Sequence, residues 1–166
     1  MAESSPPGHR QDPIDLAIVI SDRVQIRNVS LVGTHASRAD ASRFPQEGLA
    51  FKHTVTPGGV VRRESESQID VRLSFTLTSI KDDQVELDPI LLIEATFVLT
   101  YILDSWNGVD ERNLTAFAAT NGVYNAWPYW REYLQSTTVR MGIPPITAPV
   151  FRFSASPPSP EPKGDD

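Results

Sequence analysis

Hydrophobic and polar residues alternate without a break from Ile69 to Thr78. Ile69, Val71, Leu73, Phe75 and Leu77 share one phase, with Asp70, Arg72, Ser74, Thr76 and Thr78 between them. Successive side chains of a strand point to opposite faces, so this period of two predicts a strand buried on one side. After the polar turn KDDQVELDP, a second strand is predicted over residues 90–103, with Ile93, Ala95, Phe97, Leu99, Tyr101 and Leu103 in phase. Its other phase mixes Leu92, Val98 and Ile102 with Glu94, Thr96 and Thr100, which is too apolar for a fully exposed face. Two earlier stretches read as extended: residues 24–34, rich in β-branched side chains, and residues 49–61, where Pro57-Gly58-Gly59 predicts a bulge or bend. Between them SRADASRFPQEG has loop composition and makes a long connection. IDLAIVI, ahead of the first strand, fits a helical turn or a strand extension equally well. Four strands with meander-like turns make an antiparallel sheet the simplest arrangement.

From Asp110 the period lengthens. Asp110 is an N-cap for a short helix with Leu114, Phe117 and Ala118 on one side, weakened by Asn121-Gly122. Pro128 is placed in the first turn of a second, longer helix, where its fixed φ and missing N–H are harmless. Trp130, Leu134, Thr137, Thr138 and Met141 line one flank of that helix, and Gly142 followed by Ile143-Pro144-Pro145 ends it. Four strands followed by a short and a long helix give an α+β fold.

Composition sets the limits of this domain. The chain has 166 residues, 40 % of them hydrophobic, enough for one domain with a sizeable core. Its ends, residues 1–12 and 154–166, are rich in Pro and Ser and poor in large apolar side chains, which predicts disorder there and a folded domain over residues 13–153. There is no cysteine, so disulfides and Cys-based zinc or redox sites are excluded. A formal charge of -6 argues against nucleic acid as a partner. No segment approaches the roughly 18 consecutive apolar residues of a membrane span, so a soluble, cytoplasmic protein without membrane insertion is expected.

The sequence offers little for catalysis. His9, His35 and His53 are scattered without metal-ligand spacing. Neither a G-x-S-x-G elbow nor a phosphate-cradling glycine loop occurs, and TPGGVV reads as a turn. Asp82, Asp83, Glu86 and Asp88 fall in a turn that accounts for them. The expectation is a protein that is not an enzyme and carries no metal or cofactor.

What stands out is the concentration of rings between Tyr124 and Tyr133, which holds three of the four tyrosines and two of the three tryptophans. There NGVYNAWPYWREYLQSTTVRMGIPPITAPVF resembles the C-terminal region of the SecB family of protein-export chaperones. In that family an aromatic-Pro-Tyr-x-Arg-Glu element opens a long helix that ends at a Gly before a proline-bearing, apolar tail. Here the element is Trp127, Pro128, Tyr129, Trp130, Arg131 and Glu132, and the ending is Gly142-Ile143-Pro144-Pro145-Ile146, then Ala148-Pro149-Val150.

The resemblance implies an ATP-independent holding chaperone, a homotetramer built as a dimer of dimers, that binds unfolded preproteins in hydrophobic grooves and passes them to SecA. The family's groove elements correspond to Phe44 in the loop, Leu49, Phe51 and Val55 on the second strand, and Trp127, Trp130 and Leu134 on the long helix. Because a helix packed on a sheet buries the same residue types, these side chains fit a core equally well, and a plain interaction module with its rings buried stays open beside the chaperone. Two features depart from the export pattern. The first strand reads Arg27-Asn28-Val29-Ser30-Leu31-Val32, without the acids that help dock SecA, leaving Glu94 as the SecA contact the resemblance suggests. The tail SPPSPEPKGDD shows no SecA-binding segment. SecB-like relatives also serve single antitoxin clients in toxin–antitoxin systems, so export is the first expectation and an antitoxin-dedicated chaperone the alternative.

Overall fold

The computed structural model describes residues 12–39, 50–81, 84–85 and 89–151. IDLAIVI resolves as helix α1 (Pro13–Ser21). Asp12 caps it, its carboxylate accepting from the Ile14 N–H at 2.9 Å, and Pro13 fills the first helical position. Ala17 and Ile20, three residues apart, are its buried side chains.

The strands are β1 (Val24–Arg38), β2 (Ala50–Arg63), β3 (Gln68–Lys81), the two-residue β4 (Gln84–Val85) and β5 (Leu91–Leu103). All pairings are antiparallel, and the long strands lie in the order β1-β5-β3-β2, with β4 beside β3. A simple meander would have set β1 next to β2; instead the two form opposite edges of the sheet. Arg38 pairs with Leu91 and Phe51 with Ser79, on rows level with each other across the sheet. Getting from Arg38 to Phe51 therefore means crossing three strand spacings, roughly 14 Å. That distance explains why the β1–β2 connection is long.

Register confirms the alternation. Val71 faces Leu99, Leu73 faces Phe97 and Phe75 faces Ala95, all buried on one face. The other phase of β5 is only partly covered: Leu92 and Val98 are half-buried and Ile102 is exposed. The bend at Pro57-Gly58-Gly59 is a bulge, with the register shifting between Pro57 and Gly59, and Gly59 takes the φ of 108° that a side chain would strain.

The helices cover the buried face. Helix α2 (Glu111–Phe117) opens on a capping box: the Asp110 carboxylate accepts from the Arg112 and Asn113 N–H groups, and the Asn113 side-chain Oδ1 accepts from the Asp110 N–H at 2.9 Å. The Asn113 side chain also donates to the Leu16 carbonyl at 3.0 Å, tying α2 to α1. A π-turn, Ala118–Gly122, then leads directly into α3 (Val123–Arg140). Asn121-Gly122 thus widens the helical path instead of ending it, and Pro128 lies inside α3 rather than in its first turn. An interior proline costs about 3 kcal/mol, a loss that the burial of Ala126, Trp127 and Trp130 on either side offsets. Gly122 suits the close approach, since a Cβ there would lie 3.1 Å from the Val71 side chain.

Helix α3 ends as expected. Gly142 has φ 72°, its N–H donates to the Val139 carbonyl, and the Ile143 N–H reaches back to the Thr138 carbonyl at 3.1 Å. Residues 143–151 then return along α3.

Candidate functional site

Phe75, in the middle of β3, is the hub of the aromatic cluster. Trp130 stacks on it at 5.6 Å between centroids, with Trp127 at 6.0 Å and Phe97 at 5.8 Å edge-on. The spacing of α3 creates this arrangement: Trp127, Trp130 and Leu134 recur at three and four residues, so all three fall on the side facing the sheet. Trp130 is 1 % exposed and Leu134 is wholly buried. Trp127 is 8 % exposed, covered by the returning chain: its Nε1–H donates to the Pro149 carbonyl at 2.8 Å and its ring meets Phe151 at 5.3 Å.

On β2, Phe51 and Val55 are half-buried on the helix-covered face, opposite Ser79 and Phe75. His53 lies between them with its ring edge-on to Trp130 at 6.5 Å, and among the described residues its buried Nδ1 meets no hydrogen-bonding group. Burial holds its pKa below the usual 6.5, so it is neutral at pH 7. Phe44 and Leu49 fall outside the described residues. The structure thus brings five of the seven sequence-identified side chains into one cluster bridging β2 and α3, with Trp130 and Leu134 at its floor and Phe51 and Val55 toward its rim.

The remaining motif residues have separate positions. Arg131 is half-buried, and Glu132, Pro128 and Pro144 are exposed. Glu94 is exposed on the opposite face of the sheet, cross-strand from His35 and Thr76. Tyr129 is 47 % exposed while its ring still leans on Phe97 at 6.5 Å. Next to Phe97 across the sheet lies Leu31, and Ile26 lies across from Tyr101; they are 47 % and 45 % exposed. These β1 side chains share the helix-covered face with Phe97 and Tyr101, yet stay about half exposed. Sequence reasoning gave them no role, although the β-branched run of residues 24–34 already held them.

Two other polar centres are structural. Burial raises the Tyr101 hydroxyl to about 12, opposed by the Asn125 amide that donates to it at 3.1 Å. Burial also pushes the Asp70 carboxyl up, but hydrogen bonds from Arg63, Thr100 and Gln68 outweigh it and hold the group below 3.8. Among the described residues no group of three or more His, Cys, Asp or Glu side chains is arranged to hold a metal ion. No described helix is long and apolar enough to cross a membrane. What the described residues bring together is a cluster of rings and aliphatic groups, buried at Trp127, Trp130 and Leu134 and half-buried at Phe51 and Val55.

No protein-family model matches the chain. It is 30 % identical over 156 residues to the SecB-like chaperone Rv1957 of Mycobacterium tuberculosis, an alignment covering 84 % of this chain and 86 % of that protein. It is 29 % identical, over the same length, to the SecB-like chaperone of the Oshkosh strain of that species. Among solved structures it is similar to Rv1957 in complex with a ChAD peptide from the HigA1 antitoxin. There the TM-score is 0.71 at 28 % identity, with 84 % of this chain and 98 % of that chain covered.

Proposed function

The chain belongs to the SecB-like chaperone family, and from that premise we propose that it is an ATP-independent holding chaperone whose client is an antitoxin, gripped through an extended apolar segment. One observation carries the choice of client: the similarity to Rv1957, which spans nearly the whole of a chain solved with an antitoxin peptide bound. Delivery of preproteins to SecA, the first expectation from sequence, has less support. Strand β1 carries Arg27 and no acid between Arg27 and Val32, which leaves Glu94 as the lone acidic candidate.

In this reading the client lies along the β2 side of α3. Phe51, Val55 and the Trp127 edge contact it, together with Phe44 and Leu49, and Trp130 and Leu134 support them from beneath. Rings supply a large contact area at low conformational cost and tolerate varied partners. Selective binding of the unfolded client opposes its folding and aggregation by mass action. The chaperone works by binding alone, in the cytoplasm, and assembles as a dimer of dimers.

The reading is tested by titrating the purified chain, in a calorimeter without nucleotide, with peptides of antitoxins and with an unfolded secretory precursor. Antitoxin peptide is expected to bind at micromolar concentration and to displace the precursor. Binding of precursor alone, with every antitoxin peptide inert, would return the assignment to export.

A further inference from the structure

Residues 143–151 are held against the domain much as a bound peptide would be. Beyond the Ile143 N–H, three hydrogen bonds tie them to side chains of α3: the Ile146 N–H donates to Thr138 Oγ1 at 3.1 Å, Gln135 Nε2 donates to Thr147 Oγ1 at 2.7 Å, and Trp127 Nε1 donates to the Pro149 carbonyl at 2.8 Å. Three prolines in this stretch have no N–H to offer, so no continuous backbone ladder can form. The grip is firm as far as Ala148, which is wholly buried, and then slackens: Val150 is 66 % exposed. Between this end and α3 lies an open, mostly apolar cleft of ≈ 240 Å³, lined on the helix side by Tyr124, Asn125, Trp127, Pro128 and Arg131.

We propose that the Trp127 face of α3 is a peptide-binding site occupied at rest by this chain's own residues 149–151. The ligand that replaces them is an extended apolar segment, with an aromatic side chain for the Trp127 ring and a backbone carbonyl for its Nε1. The inference rests on the reading that the chain holds non-native polypeptide. Exchange is chemically even, because each contact that residues 149–151 give up is remade by the incoming segment. Opening releases the Trp127–Pro149 hydrogen bond and the Trp127–Phe151 ring contact, and leaves the sheet and the buried Ala148 in place. The resident segment also sets a threshold, since the apparent affinity for any ligand is divided by the fraction of time the site stands open. Polypeptide lacking a suitably placed ring does not displace it.

The test uses the full chain and a fluorescein-labelled synthetic peptide, IPPITAPVF, equivalent to residues 143–151. Measured by anisotropy, Phe151→Ala is expected to raise peptide affinity about 5-fold by weakening the resident occupant. Adding Trp127→Phe, which keeps a ring but removes the indole donor, is expected to lose about 3-fold of that gain. A second measurement needs neither substitution. Because the chain has no cysteine, a spin label on Val150→Cys reports this position alone, and its motion is expected to quicken as peptide saturates. Peptide affinity within 2-fold of native in Phe151→Ala, or a label unmoved by saturating peptide, overturns the proposal. Suppression of aggregation of an unfolded model protein separates the two levels. If the native chain suppresses aggregation while both readouts stay flat, the chaperone stands and the resident-segment proposal falls. If the label moves but aggregation proceeds at every ratio, the peptide site stands and the holding function falls.

Discussion

Trp130 and Tyr129 are neighbours in sequence that point to opposite environments. Trp130, stacked between Phe75 and Tyr133, is core. Truncating it to Ala is expected to cost about 3 to 5 kcal/mol in urea denaturation, a loss that would mask any effect on clients. Tyr129→Ala removes a half-exposed ring, and is expected to cost under about 1 kcal/mol in the same measurement. His53 makes stability depend on pH. Well above 6.5 neither the folded nor the unfolded chain protonates it, so its contribution is complete. As pH falls below 6.5 the unfolded chain takes up a proton that the buried ring resists, and stability declines until the lower folded pKa is passed. Urea midpoints between pH 7.5 and 5 are expected to fall in the native chain and to fall less in His53→Leu. The buried flank of α3 was legible because a spacing of three and four residues fixes which side chains share a face. The covering of Trp127 was not, because it depends on Pro149 and Phe151 folding back from more than twenty positions downstream.

At the scale of elements, local chemistry was read well and non-local pairing poorly. The Asp110 cap and the Gly142 stop are both where the sequence placed them, since each depends on a few adjacent residues. Asp110→Ala is expected to lower stability by about 1 kcal/mol through loss of the cap. Gly142→Ala meets open space, so its expected cost of about 1 kcal/mol comes from the backbone alone. Thermal melts of the two variants and their double mutant check this, and near-additive losses are expected for ends this far apart. Pro128 was misplaced because a proline is ordinarily a sign of a helix start, and the π-turn that carries the helix past Asn121-Gly122 has no simple sequence signature. Strand order was likewise hidden: alternation tells which face of a strand is buried, but not which strand lies beside it.

At the scale of the molecule, β1 is an edge strand of fifteen residues on which Ile26 and Leu31 are exposed. A long apolar edge invites another chain. If subunits of the proposed tetramer pair there, Leu31→Asp together with Ile26→Asp is expected to give smaller species than the native chain by light scattering, while circular dichroism keeps the native signature. A native chain already monomeric at micromolar concentration would refute the assembly. The order β1-β5-β3-β2 also has a consequence for synthesis. The first strand made is joined to the last strand made, so β1 leaves the ribosome and waits, unpaired, until residues 91–103 follow. Until then the nascent chain has only the β2–β3 hairpin and a solitary apolar strand, a state prone to aggregation. For the span of its own translation, this SecB-like chain is itself the kind of polypeptide that the proposed holding function would protect.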